Sequence, residues 1–211
     1  MSGNAALIVK DLGLVGYHEA FELQQLLVAQ VREGGAESLL LLEHAPVYTM
    51  GSGGDPANVI DPAVSALRVN RGGDVTYHGP GQLVGYPILD LARRGRDLHR
   101  YLRFLEHLLV DVCGQFQVTG FPVSGRTGVW TERGKLAAIG VGVRRWVSMH
   151  GFCLNVCDDA APFQRINPCG MPQCSITSLA AETGRLQEVA QVKDLVADRF
   201  ATLLQRQLPW Q

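Results

Sequence analysis

Apolar positions recur along this chain with two different periods, and the change from one to the other sets out its elements. Residues 5–9 form a short apolar stretch of strand length. Residues 17–32 then place Phe21, Leu27, Val28 and Val31 at helical spacing before Gly34 and Gly35 stop the helix. The apolar run at 38–43 is short enough for a buried strand, and Pro46, Gly51, Gly53 and Gly54 predict irregular chain after it. A strand returns at 64–69. Beyond a glycine-rich stretch at 71–82, residues 83–89 read as another strand, in which Pro87 suits an edge or a strand end.

Asp97 is placed to cap a helix whose Leu98, Leu102, Leu105, Leu109 and Val112 form one apolar stripe ending near Gly114. Residues 129–132 and 136–143 flank Arg133, Gly134 and Lys135, which predicts a hairpin, and 146–156 adds a strand. A last helix over 189–204 carries Val192, Leu195, Val196, Phe200 and Leu203 on one face. Strands and helices mixed in this order predict an α/β or α+β chain built on a mixed sheet, not a regular βαβ array. No internal repeat or low-complexity tract interrupts it.

Composition narrows the class. The 211 residues are enough for one domain, and 46% apolar against 18% charged residues is a globular balance. A formal net charge of -1 removes any whole-protein attraction to nucleic acid or to a membrane surface. No apolar run approaches membrane-spanning length, and no basic leader precedes Leu7, Ile8 and Val9, so a cytoplasmic protein is expected. Five cysteines, an odd number, predict free thiols and not a disulfide framework.

Two phosphate-binding signatures can be set aside. Gly79, Pro80 and Gly81 are followed by Gly85 instead of a glycine at 84, so the dinucleotide fingerprint is missing. Between Gly128 and Gly134 lie five residues where a phosphate loop needs four, and Leu136 stands where a magnesium-binding hydroxyl belongs. Lys135 remains notable, because the chain has three lysines, Lys10, Lys135 and Lys193, among 19 basic residues. A lysine can exchange a proton where an arginine cannot.

Cys113, Cys153 and Cys157 fall within expected elements, where a buried structural thiol is the ordinary outcome. Neither the Cys153/Cys157 nor the Cys169/Cys174 spacing has a paired-histidine partner, so no metal is expected. Cys169 is different: Asn167, Pro168 and Gly170 around it fix an entry angle and leave backbone amides uncovered beside the sulfur. A thiol attacks as thiolate and needs a cation or base nearby, for which Lys135, His78 and His150 are candidates.

Five strings in order carry a resemblance. They are Arg-Gly-Gly-Asp-Val-Thr-Tyr-His-Gly-Pro-Gly-Gln at 71–82, Gly-Val-Trp at 128–130, Lys-Leu-Ala-Ala-Ile-Gly at 135–140, His-Gly-Phe-Cys-Leu-Asn at 150–155 and Ile-Asn-Pro-Cys-Gly at 166–170. Together with residues 42–51 they make the chain resemble, over roughly 7–205, the lipoyl(octanoyl) transferases. These are the octanoyl-[acyl carrier protein]:protein transferases of lipoate biosynthesis.

The resemblance implies a single domain with the fold of biotin and lipoate protein ligases, in which a mixed main sheet, a smaller sheet and flanking helices pack together. It implies Cys169 as the acyl-accepting nucleophile and Lys135 as the group that favours its thiolate and exchanges protons. An acyl pocket would be lined by Arg71, Gly72, Gly73, Asp74, Val75, Thr76, Tyr77 and His78, by Ala138, Ile139 and Gly140, and by Gly151, Phe152 and Cys153. Cys153 stands where the family usually has alanine, which sets a second thiol near the acyl chain.

No cofactor, ATP or metal is implied. The donor would be octanoyl-acyl carrier protein, and the acceptors lipoyl domains of 2-oxoacid dehydrogenase complexes and the glycine cleavage H protein. Such partners are generally acidic, and Arg93, Arg94, Arg96, Arg100 and Arg103 form the clear basic cluster to receive them. An ATP-dependent lipoate ligase of the same fold, a thioesterase and a non-catalytic acyl-binding module stand as alternatives.

Overall fold

A computed structural model describes residues 7–172 and 174–210 of the chain. The first strand, β1, runs Ile8–Val15, further than the 5–9 stretch predicts, and Ala5 and Ala6 lie outside the described residues. Helix α1 (Tyr17–Arg32) and strand β2 (Ser38–His44) fall where the pattern puts them. Within β2 the burial alternates face by face. Leu39 and Leu41 join the core on one side of the sheet, and Leu40 and Leu42 join the core beneath α1 on the other. A run apolar at every position is what a strand covered on both faces requires.

Next come β3 (Val47–Met50), β4 (Ala66–Arg68), β5 (Val75–His78) and β6 (Gln82–Ile88). Helix α2 (Leu98–Gln115) is capped by the Asp97 carboxylate, which accepts from Arg100 N at 2.9 Å. A cap of this kind contributes about 1 kcal/mol. Of the expected α2 stripe, Leu105, Leu109 and Val112 are buried and Leu98 is exposed, and Tyr101, Phe104 and Leu108 widen the buried face. Aromatic residues one position away from the leucines add to the face that packs on the sheet.

Strands β7 (Phe121–Val123), β8 (Arg126–Thr131), β9 (Gly134–Arg144) and β10 (Val147–Asn155) complete the sheet, and helices α3 (Leu179–Thr183) and α4 (Val189–Gln207) close the chain. The main sheet has seven strands in the order β1-β2-β6-β10-β9-β8-β7, parallel only between β1 and β2. A second sheet has the order β4-β3-β5. Helices α2 and α4 cover one face of the main sheet and α1 the other.

Pro87 sits near the end of a central strand and not at an edge. Its ring packs on Gly151 of β10, where a Cβ would lie 2.6 Å from Pro87 Cδ. Two strands, β3 and β5, replace chain expected to be irregular. Four-residue strands are too short to show a period, and the glycines around them mask what pattern remains. Among the described residues, no helix is long and apolar enough to cross a membrane.

Candidate active site

Lys135 is the second residue of β9 and is only 4% exposed. Burying an ammonium demands compensation, and three features provide room and partners. Gly128 on the neighbouring strand β8 has no Cβ, which would otherwise come within 3.0 Å of Lys135 Cε. The Trp130 ring lies under Nζ at 4.8 Å to its centroid. Nζ itself donates to Cys169 Sγ at 2.9 Å. Among the described residues no carboxylate forms an ion pair with Lys135, so the sulfur is its direct acidic partner.

The backbone explains how residues 34 apart in sequence meet. Lys135 N donates to Ser175 O at 2.8 Å, and Thr177 N donates to Lys135 O at 3.1 Å, so the segment after Cys169 is stitched alongside β9. Gly134 permits this approach, since a Cβ there would fall 2.5 Å from Ser175 O. Cys169 occupies the turn Pro168–Gly170 with φ 57° and ψ 26°. That left-handed conformation costs a non-glycine residue about 1–2 kcal/mol, and it leaves the side chain half-buried beside Nζ. An ammonium donating to sulfur is a charge-assisted contact, and a lysine can deliver a proton as the ammonium or take one up as the amine.

A pocket of about 500 Å³, counting the open solvent at its entrance, is lined by Cys169 and by residues of β5, β9 and β10. Twelve of the fourteen residues expected around an acyl chain line it: Arg71, Gly72, Gly73, Asp74, Thr76, His78, Ala138, Ile139, Gly140, Gly151, Phe152 and Cys153. Val75 and Tyr77 do not. Successive β5 side chains point to opposite faces, so Thr76 and His78 reach the pocket while Val75 and Tyr77 join Phe163 and Ile166 in a separate core. Tyr77 borders the adjoining cleft that Lys135 and Cys169 share. Sequence reasoning missed Tyr17 and Tyr86, which also line the pocket. No local signal marks them, because Tyr17 reads as part of a helical stripe and Tyr86 as part of a buried strand.

Arg71 is buried with no carboxylate on its guanidinium. It donates instead to Gly72 O at 2.9 Å, Thr49 O at 2.8 Å and Thr49 Oγ1 at 2.9 Å. The two histidine candidates are neutral groups here. Burial, with His44 and Arg71 nearby, pushes His78 well below the usual imidazole range, and burial beside Arg71 lowers His150 to about 4. His150 Nε2 donates to Asn70 Oδ1 at 2.8 Å, while His78 Nδ1 has no partner. Of the three proposed neighbours, then, Lys135 alone stands on the sulfur of Cys169.

The other thiols are set differently. Burial raises Cys153 well above the usual thiol range and Cys113 to about 12, and Cys157 and Cys174 also shift upward. Cys153 donates to Gln82 Oε1 at 3.1 Å. Among the described residues no three His, Cys, Asp or Glu side chains gather into a set that could hold a metal ion.

One arginine of the expected basic docking cluster is buried and two others have partners within the chain. Arg94 is buried against Glu37 and the Leu208 carbonyl, Arg103 pairs with Glu106, and Arg93 stacks over Trp210. Arg96, Arg100 and Arg103 are exposed. Arg94 thus drops out of the expected surface cluster, while Arg96, Arg100 and Arg103 remain on the surface at and just before the start of α2.

The fold is that of the lipoate and biotin protein ligases. A lipoate-protein ligase A solved with ATP bound superposes with a TM-score of 0.70 at 13% identity, covering 95% of this chain and 85% of that one. Biotin protein ligase from Aquifex aeolicus follows at TM-score 0.56 and 13% identity, over 95% and 68%. The sequence comparison is closer. The lipoyl protein ligase A/B catalytic domain model matches residues 16–201, and the chain is 66% identical over 203 residues to an octanoyltransferase from Citrifermentans bemidjiense, covering 96% of this chain and 100% of that protein. The chain belongs to the lipoyl protein ligase A/B catalytic family, on its octanoyltransferase side.

Proposed function

We propose that this protein moves an octanoyl group from octanoyl-acyl carrier protein to a lysine of a lipoyl domain through a thioester on Cys169. The observation that carries the reading is the 2.9 Å contact between Lys135 Nζ and Cys169 Sγ, the sulfur lining a largely apolar pocket. In the first step the Cys169 thiolate attacks the donor thioester carbonyl. The new S–C bond forms, the pantetheine C–S bond breaks, and the departing sulfur takes a proton from the Lys135 ammonium. One thioester replaces another, so no further activation is needed.

Lys135 is then a neutral amine. The acceptor lysine, in its neutral form, attacks the acyl-Cys169 carbonyl, and Lys135 takes the proton that the nitrogen sheds. Cys169 leaves as a thiolate facing a restored ammonium, and the product amide is more stable than the thioester consumed. The acyl chain lies along Ala138, Ile139, Gly140, Gly151 and Phe152, with the residues of the 71–78 stretch opposite. Acceptors are the lipoyl domains of 2-oxoacid dehydrogenase complexes and the glycine cleavage H protein.

Mixing the protein with octanoyl-acyl carrier protein, without acceptor, and digesting it for mass spectrometry tests this reading. The octanoyl adduct is expected on the peptide containing Cys169. An adduct on another cysteine, or none while transfer proceeds, would overturn it.

A further inference from the structure

The turn that presents Cys169 is fastened from outside. Asn167 O accepts from Gly170 N at 3.0 Å and so closes the turn around Cys169. Asn167 is in turn held by Asn58, whose carbonyl accepts from Asn167 N at 2.7 Å and whose Oδ1 faces Asn167 Nδ2 at 3.4 Å. The other end of the same amide, Asn58 Nδ2, donates to Asp74 Oδ2 at 2.7 Å. One half-buried side chain thus joins the cysteine turn to the glycine-rich stretch that lines the pocket. A Val59–Ile166 bridge and the Ile60 N to Arg165 O bond, 3.0 Å, continue the seam.

Packing at this seam leaves little slack. A Cβ on Gly170 would come 2.9 Å from Asp74 Oδ2 and 3.3 Å from Asn58 Nδ2, so the turn rests directly on the pair. Cys169 and Gly170 are successive left-handed residues, φ 57° and 69°. A non-glycine residue persists there only when its surroundings over-determine it. Lys135, by contrast, is fixed within a strand. The separation of Nζ and Sγ therefore depends mainly on what restrains the turn.

We infer that Asn58 is a positioning residue for Cys169, holding the sulfur at the Lys135 ammonium through its bonds to Asp74 and Asn167. The inference rests on the reading of Cys169 as the acyl-accepting nucleophile. Rate is sensitive to placement: a displacement near 1 Å can cost on the order of a hundredfold.

The test measures octanoylation of Cys169 by octanoyl-acyl carrier protein in rapid-mixing experiments, with thermal unfolding recorded for each variant. Asn58→Ala is expected to slow acylation by roughly tenfold to a hundredfold, in the maximal rate and not in KM for the donor. Asn58→Asp sets two carboxylates together and is expected to be slower still. The double variant Asn58→Asp/Asp74→Asn exchanges donor and acceptor across the same bond and is expected to recover most of the rate.

Wild-type acylation in Asn58→Ala, or a double variant no faster than Asn58→Asp, would overturn the inference. Cys169→Ala separates it from the reading beneath it. Octanoyl transfer persisting in Cys169→Ala removes that reading, whereas an inactive Cys169→Ala beside an unimpaired Asn58→Ala removes only the role of Asn58.

Discussion

Cys169 and Cys153 line the same pocket, the first half-buried in a turn and the second buried within β10, and their hydrogen-bond partners differ. Cys169 Sγ meets an ammonium at 2.9 Å. Cys153 is 5% exposed, its thiol is pushed up by burial, and it donates to the neutral amide of Gln82. Histidines follow the same division: His78 and His150 are buried and are held neutral by desolvation with Arg71 nearby. Burial favours whichever form carries no charge, and a close counter-ion favours charge. The contrast teaches that residue type did not decide the chemistry.

The contrast breaks most sharply on the two thiols. Cys169→Ala is expected to abolish both the octanoyl adduct and transfer to a lipoyl domain, whereas Cys153→Ala should still accumulate the adduct on Cys169. Intact mass after incubation with octanoyl-acyl carrier protein checks both at once. An adduct that follows Cys153 would mean that burial does not silence its sulfur.

Replacing the cation is expected to have the next largest effect. Lys135→Ala should lower kcat for transfer by about 10²–10⁴-fold, the usual contribution of a positioned proton-exchanging group. Lys135→Arg sharpens the point, since a guanidinium retains charge but does not give up a proton at working pH. Steady-state kinetics should show this variant still strongly impaired. Activity near wild type in Lys135→Arg would assign Lys135 to charge alone and remove its proton role.

How much of this was legible in the sequence varies with how each residue gets its environment. The leucines of β2 and the spacing of α1 announce their elements because the signal is local and repeated, and Asp97 caps α2 by a contact three residues away. Cys169 and Lys135 stand out by composition and by resemblance, but their contact arises from the pairing of 175–177 with β9, which no local pattern encodes. Thr76 and His78 separate from Val75 and Tyr77 only once a strand is recognised within a stretch rich in glycine. Asn58 is less legible still. An asparagine after Asp-Pro-Ala reads as an ordinary turn, and its partners Asp74 and Asn167 lie 16 and 109 residues away.

The smallest expected effect concerns a buried histidine and is read in stability, not rate. His150 has an ordinary imidazole value near 6.5 when unfolded and about 4 in the fold, because burial and the charge of Arg71 penalise its cationic form. Between those values the unfolded chain binds the proton more readily than the folded one, so stability is complete above about pH 6.5 and falls as pH drops toward 4. Integrating the shift gives a loss of roughly 2–3 kcal/mol from this one group by pH 4.5. His150→Asn tolerates the left-handed backbone at φ 55° and removes the titration. At pH 7 the variant should be less stable, having lost the stacking of the ring on Phe21. At pH 4.5 urea unfolding should find the gap narrowed or reversed. A gap that stays constant with pH would mean that the ring can take up a proton in place beside Arg71.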